Sequence, residues 1–370
     1  MDNYMRIKII IIGSFVFLTM ISVLISQNQL NIQFGDLFDP IKFLLRNGIF
    51  LYLLYHYDFA SYIHKRKTVF ECFVFAIALL SFLIDIFYFF NIISPQTLFK
   101  FTYVSQSRLT SYYAVFKRSP GILGNSNLTA QMIVLDYLLY NTIHDRFSFV
   151  FTTVVFLDLL LLGSRTAILV FAIIVVYYWL KASTRSRILQ RLLIIVAVFL
   201  SVTFIFIPYL INIGLVSGWF ANYYYGIIEG GSLIDSSLQQ RIDYFWRTNI
   251  ELFMTHPLFG LVIPERDIFL GDGEIFWILR SYGIFAFIFF VSNFIADAFY
   301  ARKELNPLIL LSIVVIYEFS NGIFFWVIGT ANFYYVVLIY ICTQIQDIRT
   351  MERSRKIANT YSTAAISPKE

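Results

Sequence analysis

Apolar residues in this chain come in long unbroken runs, not in the one-sided spacing of a helix on a water-soluble core. Runs long enough to cross about 30 Å of hydrocarbon lie near residues 7–25, 41–57, 69–92, 124–142 and 147–163, then near 166–181, 192–213, 275–296, 305–327 and 330–345. No convincing internal repeat relates the two groups. The only long stretches without such runs are about 93–120 and 214–273, and a polar, basic tail follows at 346–370. The pattern predicts an all-α, polytopic transmembrane bundle of about ten helices with one large extracytoplasmic loop. It divides into N-terminal transmembrane helices (1–115), central transmembrane helices (116–213), the large loop (214–273), C-terminal transmembrane helices (274–345) and the tail (346–370).

Charge orients this bundle. With the N-terminus inside, the short loops carrying Lys65-Arg66-Lys67, Arg146, the group Lys181, Arg185, Arg187 and Arg191, and Arg302-Lys303 are all cytoplasmic, as are the tail bases Arg349, Arg353, Arg355 and Lys356. That satisfies the positive-inside rule, and the first outer loop, Ser26 to Asp39, has no Lys or Arg. Both termini are therefore expected in the cytoplasm. The run from Ile9 to Ile25 follows a short basic start, Arg6 and Lys8, but is followed by Ser26-Gln27-Asn28 and not by a small-residue cleavage site, so it reads as the first membrane anchor.

Composition agrees and removes other classes. The chain is 59% hydrophobic and 14% charged, more apolar surface than one soluble core of 370 residues can hide. Its 41 Phe and 25 Tyr are scattered, which suits helix faces and interfacial belts better than a nucleic-acid platform. The net charge of +5 is accounted for by the cytoplasmic loops. Cys72 and Cys342 fall inside apolar runs, and the four histidines form no ligand spacing, so neither a disulfide, a metal site nor a cofactor is expected.

A set of bases is left on the outer side: Lys100, Arg108, Lys117, Arg118, Arg165, Arg241, Arg247 and Arg266. Arg165 stands in Gly163-Ser164-Arg165-Thr166-Ala167 between two nearly continuous apolar runs, so it is expected at the outer boundary, either on an anionic ligand or paired with Asp158. Ser237-Leu238-Gln239-Gln240 has the form of a capping box, and Ile242, Phe245, Trp246, Asn249, Ile250 and Phe253 follow at helical spacing. Arg241 then lies in the first turn of an amphipathic helix, where a guanidinium beside free N–H groups makes an anion site. The alternative for it is a pair with Asp243 or Asp235. Asp272 and Glu274 sit where the chain re-enters the membrane, placed to act as a general base or else to cap the next helix and complement its dipole.

These landmarks resemble the O-antigen polymerase and O-antigen ligase superfamily of bacterial membrane glycosyltransferases. Arg118-Ser119-Pro120-Gly121-Ile122-Leu123-Gly124-Asn125-Ser126-Asn127-Leu128-Thr129-Ala130 is similar to the family's Arg, Gly, Asn-x-Asn lead into a helix. Gly163 to Ala167 resembles its Ser-Arg turn, Arg241 to Trp246 its loop helix, and His256-Pro257-Leu258-Phe259-Gly260 its His-Pro-Leu-x-Gly turn. Asp272 stands eleven positions before Gly283, like the polar residue that the family places ahead of a membrane-embedded glycine. The resemblance covers about residues 115 to 290. The ligases begin this last landmark with His, and Asp272 in its place favours the polymerase branch.

The resemblance implies a donor glycan and an acceptor repeat unit, each on undecaprenyl diphosphate. It gives Arg165, Arg241, Arg118 and Lys117 to the diphosphate and Asp272, or else Glu274, to the acceptor hydroxyl. No nucleotide, metal or nucleic acid is involved; membrane lipids and a chain-length regulator are further candidate partners. Two alternatives stand beside it. One is a ligase-like transfer to an acceptor off the carrier; the other is a transporter or flippase using the membrane-run acids Asp85, Asp136, Asp158 and Glu318.

Overall fold

A computed structural model describes residues 3–27, 38–57, 61–62, 65–94, 97, 119–144, 148–181, 201–213, 224–225, 239, 241–263, 273–302, 305–320, 334–342 and 344–345. Its regular elements are all helical: α1 (Asn3–Gln27), α2 (Phe38–His56), α3 (Lys67–Phe89), α4 (Ser126–His144), α5 (Phe149–Leu162), α6 (Arg165–Lys181), α7 (Ile207–Asn212), α8 (Arg247–Thr255), α9 (Glu274–Ala301) and α10 (Pro307–Ser320). Two π-helical turns, Val202–Phe206 and Arg241–Trp246, lead directly into α7 and α8. Among the described helices, α1, α3 and α9 are long and apolar enough to cross a membrane. The apolar helices α5 and α10 are shorter, and α4 carries Gln131, Asp136 and Asn141, fully buried among neighbouring helices. The expected run at 124–142 therefore forms a helix that protein largely encloses, while the tail and much of 93–120 and 214–273 lie outside the described residues.

The helices are apolar outside and polar inside. On α1, Ile10, Phe17 and Leu24 are exposed while Lys8, Thr19, Ser22 and Ser26 are buried; on α3, Val69, Phe73 and Leu80 are exposed while Ser81 and Asp85 are buried. In water this distribution would be unfavourable, whereas hydrocarbon costs an outward Leu or Phe nothing and drives polar groups toward one another. Local bonds satisfy much of the inner face: Ser22 Oγ donates to Leu18 O at 3.0 Å and Ser26 Oγ to Ser22 O at 2.8 Å.

α1 runs antiparallel to α9. At one end Tyr4 stacks on Tyr300 with ring centroids 4.0 Å apart, and at the other Ser22 Oγ donates to Tyr282 O at 3.3 Å. Near the first end stands Lys8. It is completely buried, 2.6 Å from Asp297 Oδ1, and donates to Asn293 Oδ1 at 2.5 Å. Tyr4 Oη donates to Asp297 Oδ1 at 2.7 Å and Tyr334 Oη to Oδ2 at 3.3 Å. The register of α1 on α9 fixes this: Lys8 shares with Tyr4 the face of α1 that meets α9, while Arg6, on the other side of the same turn, is exposed.

The contacts also sort the helix ends. His144, closing α4, meets Glu71 in the first turns of α3 at 2.9 Å, and the N–H of Asn306, just before α10, donates to Tyr177 Oη near the close of α6 at 3.3 Å. At the opposite end the N–H of Ser119, ahead of α4, donates to Leu161 O at the close of α5, and Phe319, closing α10, meets Phe276 at the start of α9. α1, α3, α5 and α10 thus finish at the end of the bundle where α4, α6 and α9 begin.

Candidate functional site

Arg165 is placed by a turn of two residues. α5 starts on an N-cap, Ser148, whose hydroxyl accepts from Phe151 N–H, and stops at Gly163, which takes the left-handed conformation (φ 61°) that closes a helix C-terminus. The Gly163 N–H donates to Leu159 O at 3.0 Å, and Ser164 O accepts from Ile168 N–H at 3.0 Å as the first bond of α6. Arg165 is consequently the first residue of α6, half-exposed, in a first turn whose N–H groups have no partner within the helix itself. The expected pair with Asp158 does not form. Asp158 is buried against Asp85 and Ser81, and neither of its oxygens meets a hydrogen-bond donor among the described residues. Asp158 lies about one turn before the end of α5, on the face that packs on α3, and Arg165 comes only after Gly163 has ended that helix.

The segment ahead of α4 is built around Thr129. Leu123 N–H donates to Thr129 Oγ1 at 3.1 Å, Thr129 Oγ1 donates to Pro120 O at 3.4 Å, and Asn125 Oδ1 accepts from Asn127 N–H at 3.0 Å. Gly121 has φ 66°, and a Cβ there would come within 2.4 Å of Thr129 Oγ1. The glycine and Asn-x-Asn spacing of this stretch is therefore the geometry of a tight helix start. Lys117 and Arg118, immediately before it, lie outside the described residues.

Arg241 opens a continuous rod formed by the π-helical turn Arg241–Trp246 and α8, and is half-buried there. The capping box expected at Ser237 lies outside the described residues except for Gln239, whose amide bonds Asp243. Arg247 pairs with Glu251 at 2.8 Å on the exposed side, and this carboxylate raises the Arg247 pKa. Asn249 faces the protein as its spacing predicts, whereas Ile250 is 42% exposed. Trp246 fixes the rod to the bundle: it stacks on Phe276 with centroids 5.1 Å apart and meets Phe319 edge-on at 6.1 Å. Its indole nitrogen lies 3.2 Å from where a Gly273 Cβ would be.

Gly273 (φ 113°) is the N-cap of α9 and no side chain caps it. Asp272 lies outside the described residues. Glu274 is the first residue of α9 and is buried; it and Arg46 of α2 both act electrostatically on Tyr335. Trp246→Ala is expected to release the rod from α9 at a cost of about 3 kcal/mol, as for other large aromatic truncations. Limited trypsin digestion checks it, since cleavage after Arg247 should accelerate strongly while the bundle stays folded.

The His-Pro turn has a structural task that its sequence does not disclose. α9 is interrupted at Gly283 (φ 74°, ψ −179°). In an unbroken helix Ile284 N–H would bond Arg280 O. Here Ile284 N–H donates to Pro257 O at 2.9 Å, and Arg280 O accepts from Leu261 N–H at 2.8 Å. The turn is inserted into the hydrogen-bond ladder of α9 and satisfies both groups that the break releases. Gly260 N–H donates to His256 O at 2.8 Å, closing the turn, and Val262 N–H donates to Ser26 Oγ at 2.9 Å, tying it to α1.

Sequence reasoning passed over Arg280, whose side chain is completely buried between these elements and donates to Ser281 Oγ at 3.2 Å. An arginine in the first turns of an apolar run was the available signal. The structure thus brings Arg165, the Arg241 rod and Glu274 to one end of the bundle. Asp85, Asp136, Asp158 and Glu318 are all buried, with the first and third side by side. Compared with known protein families and with curated proteins, the chain gives no match.

Proposed function

We propose that this chain is a membrane glycosyltransferase that lengthens a polysaccharide on its lipid carrier, joining undecaprenyl-diphosphate-linked repeat units at the outer face of the cytoplasmic membrane. In this reading about ten helices cross the membrane, both termini are cytoplasmic, and 214–273 is the extracytoplasmic loop. The observation that supports it is the gathering of three distant landmarks, Arg165, the Arg241 rod and the start of α9, at one end of the bundle. The acceptor hydroxyl oxygen forms a bond to the donor's anomeric carbon while the bond from that carbon to diphosphate breaks. The electron pair leaves with the lipid diphosphate, and the hydroxyl proton passes to a carboxylate. Arg165 and Arg241, with Arg118 and Lys117, stabilise the departing charge, a task that suits a bidentate guanidinium better than an ammonium. Asp272 takes the proton, because the burial of Glu274 beside the Arg46 and Tyr335 surroundings suits a structural anchor.

In proteoliposomes supplied with lipid-linked repeat units, Arg165→Lys and Arg241→Lys are expected to lower chain extension roughly 100-fold, and Asp272→Asn to abolish it, with Asp272→His retaining part. Normal ladders from the first three variants would sink the assignment. Release of glycan from the carrier instead of lengthening would identify the ligase-like transfer.

One observation favours a transporter or flippase as a second reading: both Asp136 oxygens are buried in α4 with no hydrogen-bond donor among the described residues. Asp136→Asn separates the readings. It stops movement of lipid-linked glycan across the vesicle membrane if this is a transporter, and leaves chain extension unchanged if it is a polymerase.

A further inference from the structure

Asp85 and Asp158 have no part in the chemistry above, yet they stand at the same end of the bundle. Asp85 lies near the close of α3, Asp158 near the close of α5, and both are completely buried. Their carboxyl groups meet each other, with Ser81 adjoining Asp158. Asp85 Oδ2 and both Asp158 oxygens meet no donor among the described residues, so the two carboxyls can bond each other only through a proton that one of them carries. Asp85 Oδ1 also accepts from Ser119 Oγ at 2.6 Å. Ser119 Oγ accepts from Gly121 N–H at 3.3 Å, and the Ser119 N–H donates to Leu161 O at 3.3 Å, two residues before Gly163. One polar cluster therefore ties α3, α5 and the segment leading into α4 to the base of the Ser-Arg turn.

Beside the cluster the packing is loose. An apolar cleft of about 160 Å³ opens along α3 and α5, lined by Phe82, Ile86, Phe89, Leu157, Leu160 and Leu161. Across the cluster, the hydrogen bonds described above that join the segment ahead of α4 to α3 and α5 run through Ser119. Hydrophobic residues would bury at lower cost than two carboxyls, but they offer no acceptor to Ser119.

We infer that Asp85, with Asp158 buried beside it, is a positioning residue, which holds the Ser119–Asn125 segment against Gly163-Ser164-Arg165 and so sets where Arg165 meets the lipid diphosphate. The inference rests on the transferase reading for its ligand, but not for its geometry. An amide at position 85 can still accept from Ser119 and donates to Asp158 without any shared proton, so it separates positioning from proton carriage.

The test uses the full-length protein in proteoliposomes, in a Cys72→Ser/Cys342→Ala background with spin labels on Leu123→Cys and Thr166→Cys. Asp85→Asn is expected to keep the parent's narrow distance distribution and its turnover within about threefold, whereas Asp85→Leu broadens the distribution and lowers turnover roughly tenfold. Ser119→Ala, which removes only the hydroxyl link, should reproduce the broadening should Asp85→Leu fail to insert. The inference is overturned if Ser119→Ala and Asp85→Leu leave the distances unchanged. It is equally overturned if Asp85→Asn loses as much turnover as Asp85→Leu at unchanged distances, because the pair then carries a proton. Absence of chain extension by the parent protein would count against the transferase reading alone, and the distances would still decide the positioning.

Discussion

Gly283→Ala is expected to dismantle the end of the bundle that carries the candidate site, with a large loss of stability. The residue sits at φ 74° and ψ −179°, a region occupied almost only by glycine. A Cβ there would lie 2.3 Å from Leu258 O and 2.6 Å from Gly260 N. Those are backbone atoms of the turn inserted into α9, which cannot rotate aside as a side chain can. Strain alone is worth about 1–3 kcal/mol, and displacing the turn also exposes Arg280 O and Ile284 N–H, two buried groups at about 1–3 kcal/mol each. Gly260→Ala should behave alike, since its Cβ would come within 2.5 Å of Arg280 O. Gly48→Ala is the control: a Cβ there meets nothing within 4 Å, so stability should stay level or rise by up to about 1 kcal/mol. Thermal unfolding in detergent, followed by loss of the monodisperse species, ranks the three. Equal behaviour of Gly283→Ala and Gly48→Ala would refute the inserted turn.

Lys8→Met is expected to cost about 3–5 kcal/mol, the usual consequence of stranding one partner of a buried ion pair. Asp297 would keep the hydroxyls of Tyr4 and Tyr334 but lose the cation 2.6 Å away. Asp297→Leu should cost at least as much, because it leaves the ammonium on Asn293 and over the Phe50 ring, 5.8 Å from its centroid, with no counter-charge. The double replacement removes both charges and should recover most of the loss, in the way buried pairs elsewhere give way to apolar residues. A double-mutant cycle on unfolding temperature measures the coupling. Strict additivity of the two losses would show that Lys8 and Asp297 act independently. Neither single variant should alter the Ser-Arg turn, which lies at the opposite end of the bundle, so loss of insertion and not of site geometry is the expected defect.

Much of the candidate site can be read from local signals. Gly163 after an apolar run and Arg165 before the next dictate a left-handed cap followed by a helix start, and the structure contains both. Asn125 and Thr129 act within a few residues of one another, so their spacing suffices. The amphipathic rod is legible for the same reason, through Trp246 and Asn249 at helical spacing. The partner of Asp158 is not. Helical spacing offered Arg165, but the face of α5 that carries Asp158 is covered by α3, whose Asp85 and Ser81 lie more than 70 positions away. Hydropathy marks α4 only as a weaker apolar run and does not say which helices enclose it.

By its sequence alone this protein determined its class and its punctuation: an all-helical chain whose apolar runs, caps and tight turns follow from properties of neighbouring residues. Tertiary structure decided what each charge does. It makes Lys8 a buried ion-pair partner and the His256-Pro257 turn the filling of a gap in α9. The physical reason is range. Backbone conformation is set within a turn or two, whereas the state of a buried charge or an unbonded carbonyl depends on whichever distant segment packs against it.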